Sequence, residues 1–319
     1  MSISILVFQS VYHCAKVRIM NKMMLSLPCF YSLNMYICIV FNTTEMILIA
    51  DGGSTKTMWA LRDKGINVAI TTTSGINPVH LDNRKIAAII QDELPQRFFD
   101  SHLERIEYYG AGCIEPFSTA IRDVLAQSFG VNKDAVTVDS DITGAARALF
   151  GTRSGIACIL GTGSNSCLYI DGKITSQVPP LGYILGDEGS GAALGRLFLN
   201  ALYKGRLPRS MVSAFERWSS LSYTGVIDRV YRQPSANRFL SSISVFIKEN
   251  ASQCEPLQDV IRENFRLFFR NNIEAYGRRD LPIGAVGSIA WHYRDLLDET
   301  AASEGYRLTD VFRSPLLRE

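Results

Sequence analysis

The residues with the most chemistry in them are carboxylates and hydroxyls set in glycine-rich turns directly behind apolar runs. From Ile47 to Thr57 the chain reads I-L-I-A-D-G-G-S-T-K-T. Four apolar residues, Ile47 to Ala50, predict a buried strand that delivers Asp51 at its end, and Gly52 and Gly53 predict a bend close enough for backbone N–H groups to cradle an anion. Ser54, Thr55 and Thr57 add hydroxyl donors and Lys56 a cation, while Asp51 is a hard oxygen ligand of the kind Mg²⁺ prefers, directly or through water. A plain hairpin turn selects Asp and Gly too, so this stretch alone leaves both readings open. It is not a P-loop, because Lys56 follows Thr55 where G-x-x-x-x-G-K-[ST] requires glycine.

A second turn of the same kind follows the apolar run Ile156 to Leu160: Gly161-Thr162-Gly163-Ser164-Asn165-Ser166. Each turn leads into a hairpin-like stretch, Thr57 to Asp63 with a turn at Lys64-Gly65, and Ser166 to Ile170 with a turn at Asp171-Gly172. Two such units predict two similar halves facing one nucleotide. A third element, Ile283 to Val286 followed by Gly287-Ser288 and a helix, is placed for the adenosine side. The nucleotide contacts expected are therefore Gly53, Ser54, Thr55 and Lys56 from one half, with Gly161, Thr162, Gly163, Ser164, Gly287 and Ser288 from the other.

These groups need strands and helices to position them. Asp82 is expected to cap a helix with Ile86, Ile89 and Ile90 on one face, limited by Pro95. Ile106 to Tyr109 reads as a strand, Ser118 as the cap of a helix carrying Ile121, Val124, Leu125 and Phe129, and Ala135 to Val138 as a strand delivering Asp139, Ser140 and Asp141. Ser190 precedes a helix ended by Gly205; Leu207 to Asp280 is expected to be a helical cap. Ile289, Tyr293, Leu296 and Leu297 define one helix after Ser288, closed by Gly305.

Composition sets limits. The 319 residues, 47% of them hydrophobic, suffice for two cores, and a formal net charge of +2 gives no field for nucleic acid. Seven cysteines without a C-x-x-C pair point to reduced thiols in a cytoplasmic protein. His80, His102 and His292 lack metal-ligand spacing, although His292 falls one turn after Ser288, and Trp59, Trp218 and Trp291 read as core packing. Residues 1–45 hold three of the cysteines and no glycine; Met24 to Phe41 is apolar, but Pro28 and Asn34 interrupt it, and no membrane role is expected. The natural start is placed at Met46, with 1–45 a non-native or disordered extension, 46–153 a first domain and 154–319 a second with a helical insertion.

Six short stretches stand in an order that resembles the BadF/BadG/BcrA/BcrD branch of the actin, sugar kinase and Hsp70 superfamily, most closely its N-acetylglucosamine kinase members. They are D-G-G-S-T-K-T at Asp51, G-I-N-P at Gly75, S-D-x-x-G-A at Ser140, L-G-T-G-S-N at Leu160, G-D-E-G-S-G at Gly186 and V-G-S-I-A at Val286, within Met46 to about Pro315. The resemblance implies an α/β fold of two ribonuclease H-like (actin-like ATPase) domains flanking a nucleotide cleft. It also implies transfer of the γ-phosphoryl group of ATP, with Mg²⁺, to a hydroxyl of an amino sugar such as N-acetylglucosamine. In such reactions a carboxylate takes the hydroxyl proton, and Asp141, on the family's D-x-x-G pattern, is expected in that role. Asp139 is its rival, and Asp141 also suits a helix cap. The resemblance assigns Asp187 to sugar hydroxyls. Asn77 can donate and accept to a sugar, or serve as a turn Asn before Pro78, and Leu181 and Gly182 are expected in the pocket wall. Leu181 stands where some sugar kinases have a tryptophan. Family members continue past the Ser314-Pro315 region into a segment packing on the first domain. Two alternatives remain: an ATP-driven activator of 2-hydroxyacyl-CoA dehydratases or benzoyl-CoA reductases, which would need cysteines for an iron–sulfur cluster, and a nucleotide-binding protein without catalysis. The partner expected is a small sugar, with a homodimer allowed for.

Overall fold

The computed structural model describes residues 46–317, so the expectations for residues 1–45 lie outside the described residues. The apolar run after Met46 forms β1 (Met46–Gly52), with Leu48 and Ala50 fully buried, and the chain returns through β2 (Lys56–Asp63) and β3 (Ile66–Ser74) as an antiparallel meander. The β2–β3 turn has Lys64 and Gly65 left-handed, at φ 47° and 83°, as a two-residue hairpin with matching twist requires. Next comes α1 (Asn83–Glu93), capped by Asp82, whose carboxylate accepts from Lys85 N at 2.9 Å. There follow β4 (Leu103–Gly110), α2 (Phe117–Phe129), β5 (Val136–Ser140) and α3 (Asp141–Phe150). The sheet order is β3-β2-β1-β4-β5, with β1, β4 and β5 parallel.

The second sheet repeats this plan. β6 (Gly155–Leu160), β7 (Ser164–Ile170) and β8 (Lys173–Ser176) form the meander, and its second turn has Asp171 and Gly172 at φ 47° and 82°. Six helices follow, α4 (Gly182–Leu185), α5 (Gly191–Tyr203), α6 (Arg209–Ser219), α7 (Tyr223–Tyr231), α8 (Ala236–Ala251) and α9 (Glu255–Phe268). Then come β9 (Ile283–Val286), α10 (Ser288–His292), α11 (Arg294–Ser303) and β10 (Leu308–Phe312). The order β10-β9-β6-β7-β8, read from its other edge, is the first sheet again, with β6, β9 and β10 parallel. The α/β architecture expected from the sequence is thus present as two mixed sheets with flanking helices.

One core lies under β1, β2 and β4 with α1 and α2, a second joins β6 and β9 to α5 through α9 and α11. Between them sits α3. Its Ile142, Ala145, Ala146, Leu149 and Phe150 pack with Ala157, Cys167, Tyr169 and Val286 of the second sheet. Its Gly144 lies against the first, where an added Cβ would come within 2.7 Å of Tyr109 Cβ.

Four local expectations are corrected. Ser118 does not cap α2; the helix begins at Phe117 behind Pro116, and the Ser118 hydroxyl is turned to the Glu115 carboxylate. Gly52 is not part of the bend but the last residue of β1, paired with Thr57 and Gly110; glycine is needed there because the Tyr108 phenol fills the space of a side chain. The helix after Ser288 is two helices, broken at Tyr293, whose hydroxyl donates to Ser244 O at 2.6 Å. Trp218 is 39% exposed, lying against Phe215 and Phe246 at the edge of the core, whereas Trp59 is fully enclosed and donates to Thr73 Oγ1 at 3.0 Å.

Candidate active site

Parallel strands end together, so whatever follows each strand shares one edge of the sheet. Register aligns Asp51 with Tyr109 and Tyr109 with Asp139, which brings the ends of β1, β4 and β5 level and sets Asp51 near the start of α3. In the other sheet Ile159 is level with Val286, and Val286 with Phe312, so Gly161 and Gly287 also emerge side by side.

The two glycine turns meet. Thr55 Oγ1 lies 3.2 Å from Thr162 Oγ1, across 107 residues of chain. In the first turn Gly53 N donates to Lys56 O at 3.0 Å; in the second Gly161 N donates to Gly163 O at 3.0 Å. The start of α5 closes on the second turn, with Gly191 N donating to Gly161 O at 2.8 Å and Ala192 N to Thr162 O at 3.1 Å, while Ser190 Oγ caps the helix by accepting from Ala193 N at 3.1 Å. Gly287, at φ 119°, packs on the same turn: a Cβ there would come within 2.7 Å of the Leu160 carbonyl carbon. Over Gly161 the space is open, since an added Cβ would meet nothing nearer than 3.9 Å. That leaves open space beside the second turn at Gly161.

At the ends of β1 and β5 stand two carboxylates close enough to feel one another's charge. Asp51 is pushed up to about 6, first by burial and then by the charge of Asp141, against a hydrogen bond from Ser314 Oγ at 3.2 Å and the charge of Lys56. Asp141 is likewise raised, by burial, against hydrogen bonds from its neighbour Ile142 N at 2.8 Å and from Asn165 on β7. Asp51 is a desolvated hard oxygen donor of the kind a divalent cation takes, and such a cation would relieve the repulsion between it and Asp141. Among the described residues no group of three or more His, Cys, Asp or Glu could hold a metal by itself, so a Mg²⁺ here would take its remaining ligands from phosphate and water. The residues fit that ion.

Asp139 is differently occupied. Its Oδ1 accepts from Ser140 N at 2.7 Å and Thr143 Oγ1 at 2.9 Å. The cap of α3 is Ser140, whose Oγ accepts from Thr143 N at 3.4 Å, so Asp141 is the first helical residue rather than the cap.

Asn77 joins the first turn, its Nδ2 donating to Ser54 Oγ at 3.3 Å while its Oδ1 accepts from Val79 N at 3.0 Å as a turn Asn. Asp187 lies against the second turn. It is 9% exposed and left-handed at φ 55°, and its Oδ1 accepts from Ser164 N at 3.3 Å. Burial pushes its carboxyl up to about 6, with Glu188 adding and Ser164 N and Arg196 opposing. Leu181, just before α4, and Gly182, its first residue, are both left-handed at φ 60° and 73°, and Leu181 is 63% exposed. His292 Nδ1 is 3.0 Å from Lys248 Nζ.

Sequence reasoning passed over several of these groups. Ser314 reaches Asp51 from β10's end across 263 residues, and Leu316 packs with Ile49, Met58, Ala60 and Tyr109 of the first sheet. Thr57, expected to offer its hydroxyl to an anion, is instead fully buried in β2, where its Oγ1 accepts from Ile76 N at 3.0 Å and ties the G-I-N-P stretch to the first turn. Arg238 on α8 donates to Ser54 O. Only a contact map exposes such pairs; the Asn-Pro signal at Asn77 is the nearest local hint. The cysteines Cys113, Cys158, Cys167 and Cys254 are all buried free thiols, and no described helix is long and apolar enough to cross a membrane.

Two repeated mixed sheets whose glycine turns meet define an actin-like ATPase fold. No family model and no curated protein matches the chain. A solved structure from Porphyromonas gingivalis, assigned as an N-acetylglucosamine kinase, is 41% identical over 85% of this chain and 96% of that one, with a TM-score of 0.82. At that identity and coverage the chain belongs to the N-acetylglucosamine kinase-like sugar kinases of the actin-like ATPase superfamily, which are phosphotransferases. Two more distant structures share the fold alone. One from Chromobacterium violaceum, also assigned as an N-acetylglucosamine kinase, is 18% identical over 86% and 97% of the two chains at TM-score 0.64. A ROK family glucokinase from Streptomyces griseus, solved with glucose and AMPPNP, is 16% identical over 84% and 93% at TM-score 0.56.

Proposed function

We propose that this protein transfers the γ-phosphoryl group of ATP to a hydroxyl of N-acetylglucosamine or a related N-acetylhexosamine, as a member of the BadF/BadG/BcrA/BcrD branch. The observation that carries the reading is the junction of the two glycine turns at Thr55 and Thr162, 3.2 Å apart, together with the neighbouring carboxylates Asp51 and Asp141. The 41% identity to the Porphyromonas gingivalis protein supports the sugar class.

In this reading the backbones of Gly53 to Lys56 and Gly161 to Ser164 hold the phosphates, and Gly287 and Ser288 face the adenosine. Asp51 holds Mg²⁺, which when bound would neutralise phosphate charge. Asn77 and Asp187 take sugar hydroxyls, and Leu181 and Gly182 line the sugar's approach. Asp141 takes the hydroxyl proton as the sugar oxygen bonds to the γ-phosphorus; the bond to the β,γ-bridging oxygen breaks, and its electron pair leaves with ADP. Burial raises the Asp141 carboxyl, and a raised carboxyl is the better proton acceptor near neutral pH. Its rival Asp139 already spends one oxygen on Ser140 N and Thr143 Oγ1.

The test is ADP release and sugar phosphate formation with Mg·ATP against a panel of N-acetylated, free amino and neutral hexoses. Turnover several orders of magnitude above background with an N-acetylhexosamine is expected. Equal, background-level ADP release with every sugar overturns the assignment.

A further inference from the structure

Resting on the nucleotide reading above, we infer that Arg238 is a phosphate-binding residue of the cleft, whose guanidinium exchanges the Ser54 carbonyl for phosphate oxygens of a bound nucleoside triphosphate. The mount comes first. α8 is packed so closely on α5 that a Cβ at Gly195 would come within 3.1 Å of Leu240 Cα and one at Gly191 within 3.2 Å of Ser241 Cβ. The start of α5 is itself bonded to the second glycine turn, through Gly191 N to Gly161 O at 2.8 Å and Ala192 N to Thr162 O at 3.1 Å. Helix α8 is therefore fixed to one phosphate turn by close contacts that leave little slack.

From the first turn of that helix Arg238 crosses to the other phosphate turn and donates to Ser54 O. The next residue, Thr55, is the one that meets Thr162. One side chain thus spans the place where the two turns converge. It is exposed, and among the described residues no carboxylate is paired with it. A guanidinium has five N–H donors in a planar fork that matches phosphate, and a single neutral carbonyl uses little of that capacity. Charge-assisted bonds to phosphate are roughly twice as strong as bonds to a neutral acceptor, so phosphate oxygens arriving at the junction outcompete the Ser54 carbonyl. Lys56 alone would leave the first turn with one exposed cation; Arg238 adds a second, supplied by the opposite half.

Calorimetric titration of wild type, Arg238→Ala, Arg238→Lys and the exposed control Arg232→Ala with Mg·ATP, Mg·ADP and adenosine tests this directly. Loss of a charge-assisted pair predicts about a 10- to 100-fold weaker Mg·ATP complex in Arg238→Ala, partial recovery in Arg238→Lys, and unchanged adenosine affinity throughout. Arg232→Ala is expected to bind like wild type. Wild-type Mg·ATP affinity in Arg238→Ala overturns the inference, and so does an equal loss for adenosine, which would mark a merely structural role. If wild type binds Mg·ATP but phosphorylates no sugar, the kinase reading fails while this one stands on the binding data. If wild type binds no nucleotide, both fall.

Discussion

Asp187 carries a stability cost that its substitution should reveal. Its carboxyl is pushed from 3.8 up to about 6, chiefly by burial. A carboxyl whose folded value is raised stabilises the fold below its unfolded value and loses that contribution as pH rises through the folded one. Two units correspond to roughly 3 kcal/mol above pH 6, a ceiling because solvent still reaches part of the group. Asp187→Asn keeps an acceptor for Ser164 N and removes the charge, so the ligand-free variant should be more stable than wild type at pH 8. The gain should be about half as large near pH 5 and nearly gone by pH 4. In a chain of this size the pH 8 gain corresponds to a rise in Tm of roughly 5 °C. If Asp187 takes sugar hydroxyls as proposed, the same substitution weakens that acceptor, and the KM for sugar should rise at least about tenfold. Thermal unfolding of both proteins at the three pH values, with KM measured alongside, is the assay. A variant less stable than wild type at pH 8, or one whose advantage is independent of pH, would refute the reasoning.

Asp141→Asn should lower kcat for sugar phosphorylation by about 10²- to 10⁴-fold with little change in Mg·ATP affinity, whereas Asp139→Asn, whose carbonyl can still accept from Ser140 N, should stay within a few fold; steady-state kinetics showing the reverse would move the base two residues earlier. Thr162→Val and Asp51→Ala should each raise the KM for Mg·ATP, and calorimetry giving wild-type affinity in both would dismiss the two-turn site. Gly287→Ala forces a methyl group towards the Leu160 carbonyl at φ 119°, which should destabilise the protein by roughly 2–5 kcal/mol, read by denaturant unfolding; a change below about 1 kcal/mol would show the turn to be loosely packed.

The parts of this molecule that were legible in the sequence are those written locally. Apolar runs before Asp51 and Gly161, the left-handed pairs Lys64-Gly65 and Asp171-Gly172, and the caps Asp82 and Ser190 each need only a few adjacent residues, and each stands where it was expected. The matching of the sheets was visible in their hairpins but not in β4 and β5 against β9 and β10, because parallel neighbours are joined by helices of unequal length and share no turn signal. Ser118 misled because a serine behind Pro116 looks like a cap until the Glu115 carboxylate takes its hydroxyl. Ser314 and Arg238 were unreadable for a simpler reason: their partners lie 263 and 184 residues away, and a lone serine or arginine carries no sign of what it will meet.

The position of α3 bears on how such a cleft could open. This helix leaves the first sheet at Ser140, is pressed on that sheet at Gly144, and buries its other flank against β6, β7 and β9. A helix packed on both halves in this way is placed to act as an axle between them. In a rotation about an axle the arc travelled by an atom is proportional to its distance from it, so Asp141, at the end of α3 itself, would hardly move while the Thr55–Thr162 rim swung apart. On the reading proposed above, admission of substrate and alignment of Asp141 are then separable: the rims travel, and Asp141 waits in place. Spin labels placed on the two rims and on α3 would measure those unequal arcs, and equal displacement of all three would show that the axle lies elsewhere.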